Sequence, residues 1–528
     1  MESEFALHAY MQTLLLLATE PALYPVIVSS GALPALQGLL SHENSDIVTD
    51  ALVLLSELTD PEGLEGDEEE DGQAALVAAL CSKSGLELVV SALRRLQDTP
   101  LEDEAGAPSE EEGESRAVDS GLALMDHLLE LQPEVSTTMC EASGLLAWLL
   151  ANIAKAGAAS SSNRLYISEL LGSLLSTPAN ATVAGDLDLV GSVGEGAFPR
   201  LVGGEGAVEA LLAACAPFCR KKNAPQGAEE EEAVANLFTA LRSCMLVPAN
   251  QDRFRRAEGI VLMLKAVSSG APTAPAALAL LDFAVQDNQA SAVNFVTEGG
   301  LGVLFAVFVG KGVARVRKEA GNAASGAFQE AAISCAASLA LLLPAGSTER
   351  LRFLGKFLEN DCAKCTRLVE LLLAYQGKVA AGDEGLVAAA GAGRLSTAQE
   401  DEEVYGVQLT EDERVYLRRM EYGLFTLQKL GCLLAALCVG ADANAAVRRQ
   451  LWQGVYTRGA SLSRVALDLR DMADRMAPAE GGSGAPVTAL TIGGLSDALA
   501  SFAAGGGGGG QAAAAESSSI QVEDEEDS

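Results

Sequence analysis

The chain has 528 residues and carries 72 acidic against 36 basic side chains, which gives a formal net charge of −36. Aromatic residues make up only 5% of the chain and alternating Val, Ile and Thr runs are scarce, so the composition favours an all-α fold. A body this acidic repels nucleic acid phosphates and attracts basic segments. This predicts protein partners and no direct nucleic acid binding, although the charge can equally serve solubility alone.

The first predicted elements form the clearest copy of an internal repeat. After Gly31, apolar residues recur at helical spacing through 32–40, and a second helical pattern runs from Ser45 to Thr59. A glycine lets the chain turn out of one helix because it tolerates positive φ, and Pro34 fits the first turn of the next helix. A short helix, a glycine bend and two antiparallel helices are typical of an armadillo unit.

The same glycine step recurs along the chain at separations of 41 to 62 residues. An armadillo or HEAT unit needs about 40 to 47 residues, so most units carry insertions. The glycines of these steps are Gly31, Gly85, Gly144, Gly206, Gly259 and Gly300. The repeat predicts an armadillo/HEAT-type α-solenoid, a right-handed superhelix whose concave surface binds extended peptides and other proteins.

Three segments are poor in large apolar residues: 98–114, 377–398 and 479–528. We predict them to be loops or disordered, since they bury too little apolar surface to offset the entropy of ordering. The predicted organisation is a repeat region at 1–410 with acidic and Gly-rich insertions, a C-terminal helical cap at 411–477, and a Gly/Ala-rich acidic tail at 478–528.

The C-terminal cap is also a candidate for self-association. A solenoid must close its last apolar face, and the cap carries more large apolar side chains than one core contact needs. These residues are Phe425, Leu427, Leu430, Leu433, Leu434 and Leu437. We therefore predict that the C-terminal helices can support a homodimer.

Residues with catalytic or metal-binding potential are few. The histidines of the sequence are His8, His42 and His127, and none lies in a signature with a nucleophile or a metal ligand. Cys362 and Cys365 have the CxxC spacing of redox and zinc sites. No second CxxC, histidine pair or βαβ pattern accompanies them in the sequence, which favours two thiols on a helix. We predict no enzymatic activity, no cofactor and no metal site.

Cysteine usage and hydropathy indicate the compartment. Ten cysteines are scattered without a regular framework, mostly in apolar helical contexts, which is typical of the cytosol or nucleus. The longest apolar stretches, 331–345 and 430–441, are shorter than the roughly 18 to 20 residues that span a bilayer. The N-terminal sequence has no signal-peptide pattern, so we expect neither a membrane span nor secretion.

An armadillo stack lines its inside with the final helix of each unit, so polar residues predicted on those helices are candidates for holding a basic extended peptide. They are Glu57, Asp60, Asp126, Glu130, Trp148, Asn152, Asn236 and Asp282. Trp148 and Asn152 are four residues apart, an arrangement with which importin-α-type proteins hold a peptide backbone and a lysine stem. The alternatives are that Trp148 packs in the core and that the acids are merely solvated.

Several segments, in order over about residues 1–475, resemble the beta-catenin-like protein 1 family. The strongest match is 416–428, with the sequence Tyr-Leu-Arg-Arg-Met-Glu-Tyr-Gly-Leu-Phe-Thr-Leu-Gln. Further segments similar to the family are 18–24, 31–60, 165–169, 252–259, 356–361, 367–371 and 458–461. Trp148 matches a tryptophan of the family, whereas Asn152 stands where the family has a basic residue.

The resemblance implies an armadillo solenoid of the nucleus, associated with the Nineteen complex of the spliceosome. It implies a scaffold or adaptor in pre-mRNA splicing that binds basic, nuclear-localisation-type segments of splicing factors, notably a Myb-like cell-division-cycle protein of that complex. The alternative is an importin-α-like nuclear import or trafficking adaptor for basic cargo peptides. A ladder of Asn/Trp pairs on successive inner helices would favour that alternative, and the sequence has one such pair.

Overall fold

The structure is a computed structural model, and it is all-helical in the part of the chain that it describes. The described residues are 2–61, 67–98, 109–141, 144–155, 162–186, 206–391, 409–476 and 487–504. The chain divides into two compact units, Met1–Leu280 and Leu281–Ser528. The predicted all-α class and the armadillo-type solenoid are confirmed, whereas the handedness of the superhelix stays a prediction.

The first sixteen α-helices follow the predicted repeats closely. They are α1 (Glu2–Leu14), α2 (Tyr24–Ser29), α3 (Ala32–Leu39), α4 (Ser45–Thr59), α5 (Asp67–Leu80), α6 (Lys83–Asp98), α7 (Ser109–Leu131), α8 (Val135–Glu141), α9 (Leu145–Lys155), α10 (Ser162–Leu174), α11 (Pro178–Asp186), α12 (Ala207–Cys215), α13 (Ala228–Cys244), α14 (Pro248–Arg256), α15 (Gly259–Ser269) and α16 (Ala274–Val285). Short 3₁₀ turns occupy Leu15–Thr19, Pro21–Leu23 and Ala216–Cys219.

The remaining described helices are longer and less regular. They are α17 (Gln289–Thr297), α18 (Gly300–Phe308), α19 (Val313–Leu342), α20 (Thr348–Gly391), α21 (Glu411–Glu421), α22 (Leu424–Val439), α23 (Ala445–Thr457), α24 (Leu462–Met476) and α25 (Val487–Ala504). Two of them contain breaks in the helical backbone, at Gly321 in α19 and over 359–362 in α20.

Each predicted glycine step lies at or just before the start of the second helix of its repeat, with Gly85 in the first turn of α6 and Gly206 directly before α12. Gly31 and Gly144 take the left-handed conformation, with φ of 78° and 69°. Gly259 serves a different purpose, because the preceding Glu258 takes the positive φ of 59° and a Cβ on Gly259 would lie 2.4 Å from the ring of Phe254. Glycine is therefore required there for close packing against the short first helix rather than for its φ.

Successive third helices pack against one another and form the spine of the unit Met1–Leu280. Helix α4 contacts α7, α7 contacts α10, and α10 contacts α13. The second helices form a parallel series in which α6 contacts α9 and α9 contacts α12. A repeat that touches mainly its neighbours in this way is the construction of a solenoid.

Side-chain amides seal the corners where a third helix meets the first helix of the next repeat. The Asn180 side chain donates to the Leu174 carbonyl at 2.8 Å, and the Gln251 side chain donates to the Met245 carbonyl at 3.0 Å. Both amides are buried and reach back six residues, so they satisfy helix-end carbonyls that would otherwise lack a partner. The two corners therefore repeat a polar contact as well as an apolar pattern.

Helix α22 is the centre of the C-terminal packing. It contacts α19, α20, α23, α24 and α25, and all of its residues except Phe425 and Val439 are buried. The self-association prediction therefore loses its basis, because Leu427, Leu430 and the other leucines offered for a homodimer face their own chain. Phe425 alone of that set is exposed, at 39%.

The three segments predicted to be loops are partly helical, and the prediction is wrong for those parts. Residues 109–114 begin α7, 377–391 end α20, and 487–504 form α25 within the predicted disordered tail. Helix α25 forms because Ala489, Ile492 and Leu499 share one buried stripe, which small residues and glycines dilute in the sequence. Residues 99–108, 392–398, 479–486 and 505–528 lie outside the described part of the chain.

One described helix, α19, is long and apolar enough to cross a membrane by length and composition alone, and four bent helix pairs pass the same test when each is counted as one span. The apolar half of α19 is buried inside the fold, where Ile333, Cys335 and Leu339 have no exposed surface. Its neighbour there is α22. Packing against α22 therefore accounts for its hydropathy.

Candidate peptide-binding face

Carboxylates on three successive third helices approach one another along one face of the unit Met1–Leu280. Asp126 and Glu130 lie on α7, Glu169 lies on α10, and Glu232 lies on α13. We refer to these four residues as the acidic ladder. Glu130 and Glu232 are exposed, and Asp126 and Glu169 are half-buried.

The electrostatics of Glu169 place it between the other two helices of the ladder. Partial burial raises its pKa above the ordinary 4.5, and the negative charges of Asp126 and Glu232 raise it further. A neighbouring charge has this effect only at short range, so the carboxylates of α7, α10 and α13 form one region of negative potential.

Asp126 extends the same region along α7. Partial burial raises its pKa above 3.8, the neighbouring His127 opposes this, and Glu130 one turn away raises it again. The ring of His127 turns to α4, where its Nδ1 lies 3.1 Å from the Ser56 carbonyl and 3.4 Å from the Thr59 hydroxyl. His127 therefore holds α7 in place, which fixes where Asp126 and Glu130 project.

Asn236 lies one helical turn beyond Glu232 on α13 and belongs to the same face. Its half-buried side chain donates to the Ser168 hydroxyl of α10 at 3.5 Å, a long contact that a peptide carbonyl could replace. The structure thus brings three of the sequence-predicted residues together: Asp126, Glu130 and Asn236.

Glu57 and Asp60 lie at the end of α4, the third helix that packs on α7. Glu57 is exposed, and Asp60 is half-exposed just after the helix ends. The Asp60 carbonyl accepts a 2.8 Å hydrogen bond from Gln73 of α5, which fixes the chain at that corner. Glu57 therefore lies on the neighbouring third helix of the series and Asp60 at its C-terminal end.

Trp148 and Asn152 do not belong to this face, which corrects the sequence prediction. They lie on α9, the second helix of its repeat, which packs with α6 and α12. Trp148 is 6% exposed, and the Asn152 amide donates to the Trp148 carbonyl at 2.9 Å within the same helix. Trp148 is packed in the core and the Asn152 amide is engaged within its own helix, so the pair does not form a rung of an importin-α-like ladder on the third helices.

Asp282 is also misplaced by the prediction, because it is buried rather than open to a peptide. It is 9% exposed, and burial raises its pKa from 3.8 to about 6, against the opposing effects of Lys429 and a hydrogen bond from Ser334. These partners lie on α22 and α19, so Asp282 ties three helices of the unit Leu281–Ser528 together. Its position on a final helix was predicted correctly, but the layer that covers it was not.

Sequence reasoning missed Glu169 and Glu232. Glu169 lies in the segment 165–169, which resembles the family, and Glu232 closes a run of acids whose charge also favours the start of a helix. Counting acids on each predicted third helix, rather than on the best repeats alone, would have found both.

The CxxC pair is the remaining candidate for chemistry among the described residues. No group of three or more His, Cys, Asp or Glu side chains there could hold a metal ion. Cys362 ends a backbone break, and the buried Cys365 thiol lies 3.6 Å from the Phe357 carbonyl. Burial raises the pKa of Cys365 to about 12, so it stays protonated near neutral pH and is a poor nucleophile.

Comparison with known proteins gives one consistent result. The family described as "Catenin-beta-like, Arm-motif containing nuclear" matches residues 1–470. Beta-catenin-like protein 1 of Homo sapiens is 31% identical over 482 residues, which are 90% of this chain and 76% of the human protein. The Schizosaccharomyces pombe homologue is 26% identical over 440 residues, covering 83% of this chain and 67% of its own. The family match includes the whole acidic ladder and ends before α25.

Proposed function

We propose that this chain, which belongs to the catenin-beta-like family of nuclear proteins containing armadillo motifs, is a non-enzymatic adaptor of pre-mRNA splicing that works in the nucleus. Its partners are proteins of the spliceosomal Nineteen complex, including a Myb-like cell-division-cycle protein. It binds them through basic segments of the nuclear-localisation type. The observation that carries the proposal is the acidic ladder on α7, α10 and α13.

The ladder suits an extended cationic segment because its charges lie on successive repeats rather than in one cluster. A peptide that crosses α7, α10 and α13 meets a carboxylate at each helix, so lysines and arginines along its length can each find one. An exposed charge pair contributes only about 0.2–1 kcal/mol. Affinity and register must therefore come from several pairs formed together.

Mutual repulsion within the ladder adds to the attraction for cations. Burial raises the pKa of Glu169 most, and the charges of Asp126 and Glu232 raise it further, so the ionised carboxylates disfavour one another when no partner is bound. A bound lysine or arginine relieves this repulsion as well as forming its own pair. A cation should therefore gain more at Glu169 than at an isolated surface carboxylate.

The test is titration of a labelled basic localisation peptide from a splicing factor, followed by fluorescence anisotropy. A variant with Asp126→Asn, Glu169→Gln and Glu232→Gln should bind several-fold to tens of times more weakly than the unmodified chain. The wild-type affinity should also fall as salt rises from about 50 to 500 mM, because exposed charge pairs are screened.

The matched control neutralises an equal number of acids away from the ladder: Glu298→Gln, Glu349→Gln and Glu384→Gln. These residues lie in the other compact unit, so the variant loses the same net charge while the ladder stays intact. If both variants bind alike, only the overall charge of the chain attracts the peptide. Unchanged affinity in the ladder variant, with no dependence on salt, would reject this face as the binding site.

A further inference from the structure

The helix α23 presents an unusual surface for so acidic a chain. Residues 409–476 carry ten basic and eight acidic side chains, so this region is slightly positive within a chain of net charge −36. Arg448, Trp452 and Tyr456 are spaced four residues apart along α23, and Arg449 adjoins them. We refer to these four residues as the arginine–aromatic face.

On this face Arg449 and Tyr456 are exposed and Arg448 and Trp452 are half-buried, while the opposite side of α23 packs inward. Val447, Leu451 and Val455 are at most 2% exposed, and the helix contacts α20 through Gly454, where a Cβ would lie 3.3 Å from Val369. The two sides of the helix therefore differ, because one is closed on the core and the other is partly open to solvent.

The two aromatic rings are already arranged for contact with an apolar segment. Trp452 and Tyr456 stack with 5.3 Å between ring centroids and 5° between ring planes, and Tyr456 is 71% exposed. Arg449 is exposed and forms no ion pair with a described carboxylate. Tryptophan, tyrosine and arginine are the residue types that dominate the energetics of protein interfaces.

The end of α25 lies beside this face. The Arg448 guanidinium lies 6.0 Å from the ring centroid of Phe502, two residues before α25 ends at Ala504. The chain then continues through 18 residues to five consecutive acids, Glu523 to Asp527. At about 3.3–3.6 Å per residue these 18 residues can span up to about 60 Å, three times the roughly 20 Å length of α23.

We propose that the arginine–aromatic face binds the C-terminal segment 520–527 of the same chain. The segment matches this face in charge and also in the order of its apolar and acidic residues. Ile520 and Val522 suit the stacked rings, and the acids that follow suit Arg448 and Arg449. Attachment through Ala504 makes the contact intramolecular, so a weak interaction suffices to keep the face occupied. The bound segment covers an interface that an acidic segment of another protein could otherwise use.

Trp452 supplies the measurement, because Trp148 is buried and Trp452 is the only other tryptophan of the sequence. Acrylamide quenching is compared at low salt between the full chain and a chain ending at Ala504, with a Trp452→Phe variant to subtract the Trp148 signal. Truncation should raise the quenching constant of Trp452 about twofold, and 0.5 M salt should remove the difference. Equal quenching in the two chains at low salt would overturn the proposal.

Charge exchange tests whether Arg448 and Arg449 make the contact. The variant Arg448→Glu with Arg449→Glu should quench like the truncated chain. Replacing all five acids of 523–527 by lysine in that variant should restore protection. Arg317→Glu, an exposed arginine of α19, is the matched control and should leave quenching unchanged. Failure of the exchange to restore protection, in a variant with unchanged circular dichroism, counts against pairing with these arginines.

Added ligands then identify the occupant. A peptide of residues 517–528 should protect Trp452 in the truncated chain and have little effect on the full chain, whereas the same peptide with its acids changed to amides should not protect. Protection of Trp452 by oligouridylate but not by the peptide would overturn the proposal and identify single-stranded RNA as the ligand of this face. Protection that rises with protein concentration, together with dimers in sedimentation, would overturn the proposal and identify a second copy of the chain as the occupant.

Discussion

In the unit Met1–Leu280, the third helices α7, α10 and α13 keep half-exposed and exposed carboxylates along one face. In the unit Leu281–Ser528, the comparable series runs through α19 to α22, and there α22 is buried on almost every side. Helices α24 and α25 supply the added layer. The same position in a repeat is therefore a candidate binding surface where the stack leaves it open and part of the core where later helices cover it.

Asp282 and Glu169 show what that difference does to a carboxyl group. Both have raised pKa values, and burial is the largest cause for both. The further causes differ, because Asp282 has Lys429 and Ser334 as partners from its own fold whereas Glu169 has the negative charges of Asp126 and Glu232. Asp282 thus has a cation and a hydroxyl of its own fold nearby, whereas the neighbours of Glu169 are negative charges whose repulsion a cationic partner can relieve.

The largest expected effect is a loss of folding stability when a residue of the buried helix α22 is changed. Leu430 of α22 is fully buried, so Leu430→Ala should lower the free energy of unfolding by about 2–5 kcal/mol through lost burial and the cavity left behind. Urea unfolding followed by circular dichroism measures it.

The control for that prediction is Glu57→Ala on α4, an exposed position where a change of about 0.5 kcal/mol or less is expected. If Leu430→Ala were equally mild, α22 would not be the covered helix that this comparison requires.

The next effect tests how the glycine steps hold the repeats together. A Cβ on Gly259 would lie 2.4 Å from the ring of Phe254, which is fully buried, so Gly259→Ala should cost about 1–3 kcal/mol by overpacking. Gly302 lies inside α18, and no heavy atom from a neighbouring element comes within 4 Å of the place that a Cβ would take. Gly302→Ala should therefore be neutral or stabilise by up to about 1 kcal/mol. Thermal unfolding of the two variants separates them, and equal melting temperatures would contradict the packing argument.

The sequence predicts the glycine steps well because a step is a local property. Gly31 and Gly144 both take a positive φ, and apolar residues at helical spacing follow them. The sequence predicts poorly which third helices are covered by later helices. Whether Asp282 is exposed depends on Lys429 and Ser334, which are distant in the sequence. Helix α25 escaped prediction for the same reason, since its stripe of Ala489, Ile492 and Leu499 has meaning only against α22 and α24.

The residues predicted for the candidate face show the same difference between local and distant contacts. Asp126, Glu130 and Asn236 were found from their place on predicted final helices, and the structure brings them together. Trp148 was misassigned because a tryptophan on a second helix and one on a third helix look alike in a sequence. Periodicity gives the side of a helix that is apolar, but it does not tell which neighbouring helix that side will meet.

A pH titration distinguishes the two carboxyl environments by their effect on stability. The pKa of Asp282 is raised from 3.8 to about 6, so its contribution to folding is fully present below about pH 4 and is lost as pH rises through about 6. Asp282→Asn should remove this part of the pH dependence of unfolding. Identical slopes for the unmodified chain and the variant between pH 4 and 6.5 would show that Asp282 is not buried as described.

The smallest expected effect concerns peptide binding at the acidic ladder. Because the pKa of Glu169 is raised, it loses its charge at a higher pH than an ordinary surface carboxyl, and binding of a basic peptide should weaken as pH falls from 7 to 5. Loss of one exposed charge pair corresponds to about 1.4- to 5-fold in affinity. Glu169→Gln should weaken binding at pH 7 by a similar factor and flatten the pH dependence, whereas Glu57→Gln should keep it. If Glu169→Gln and Glu57→Gln behave alike, the peptide does not sense the repulsion between α7, α10 and α13, and the open third helices bind only through the net charge of the chain.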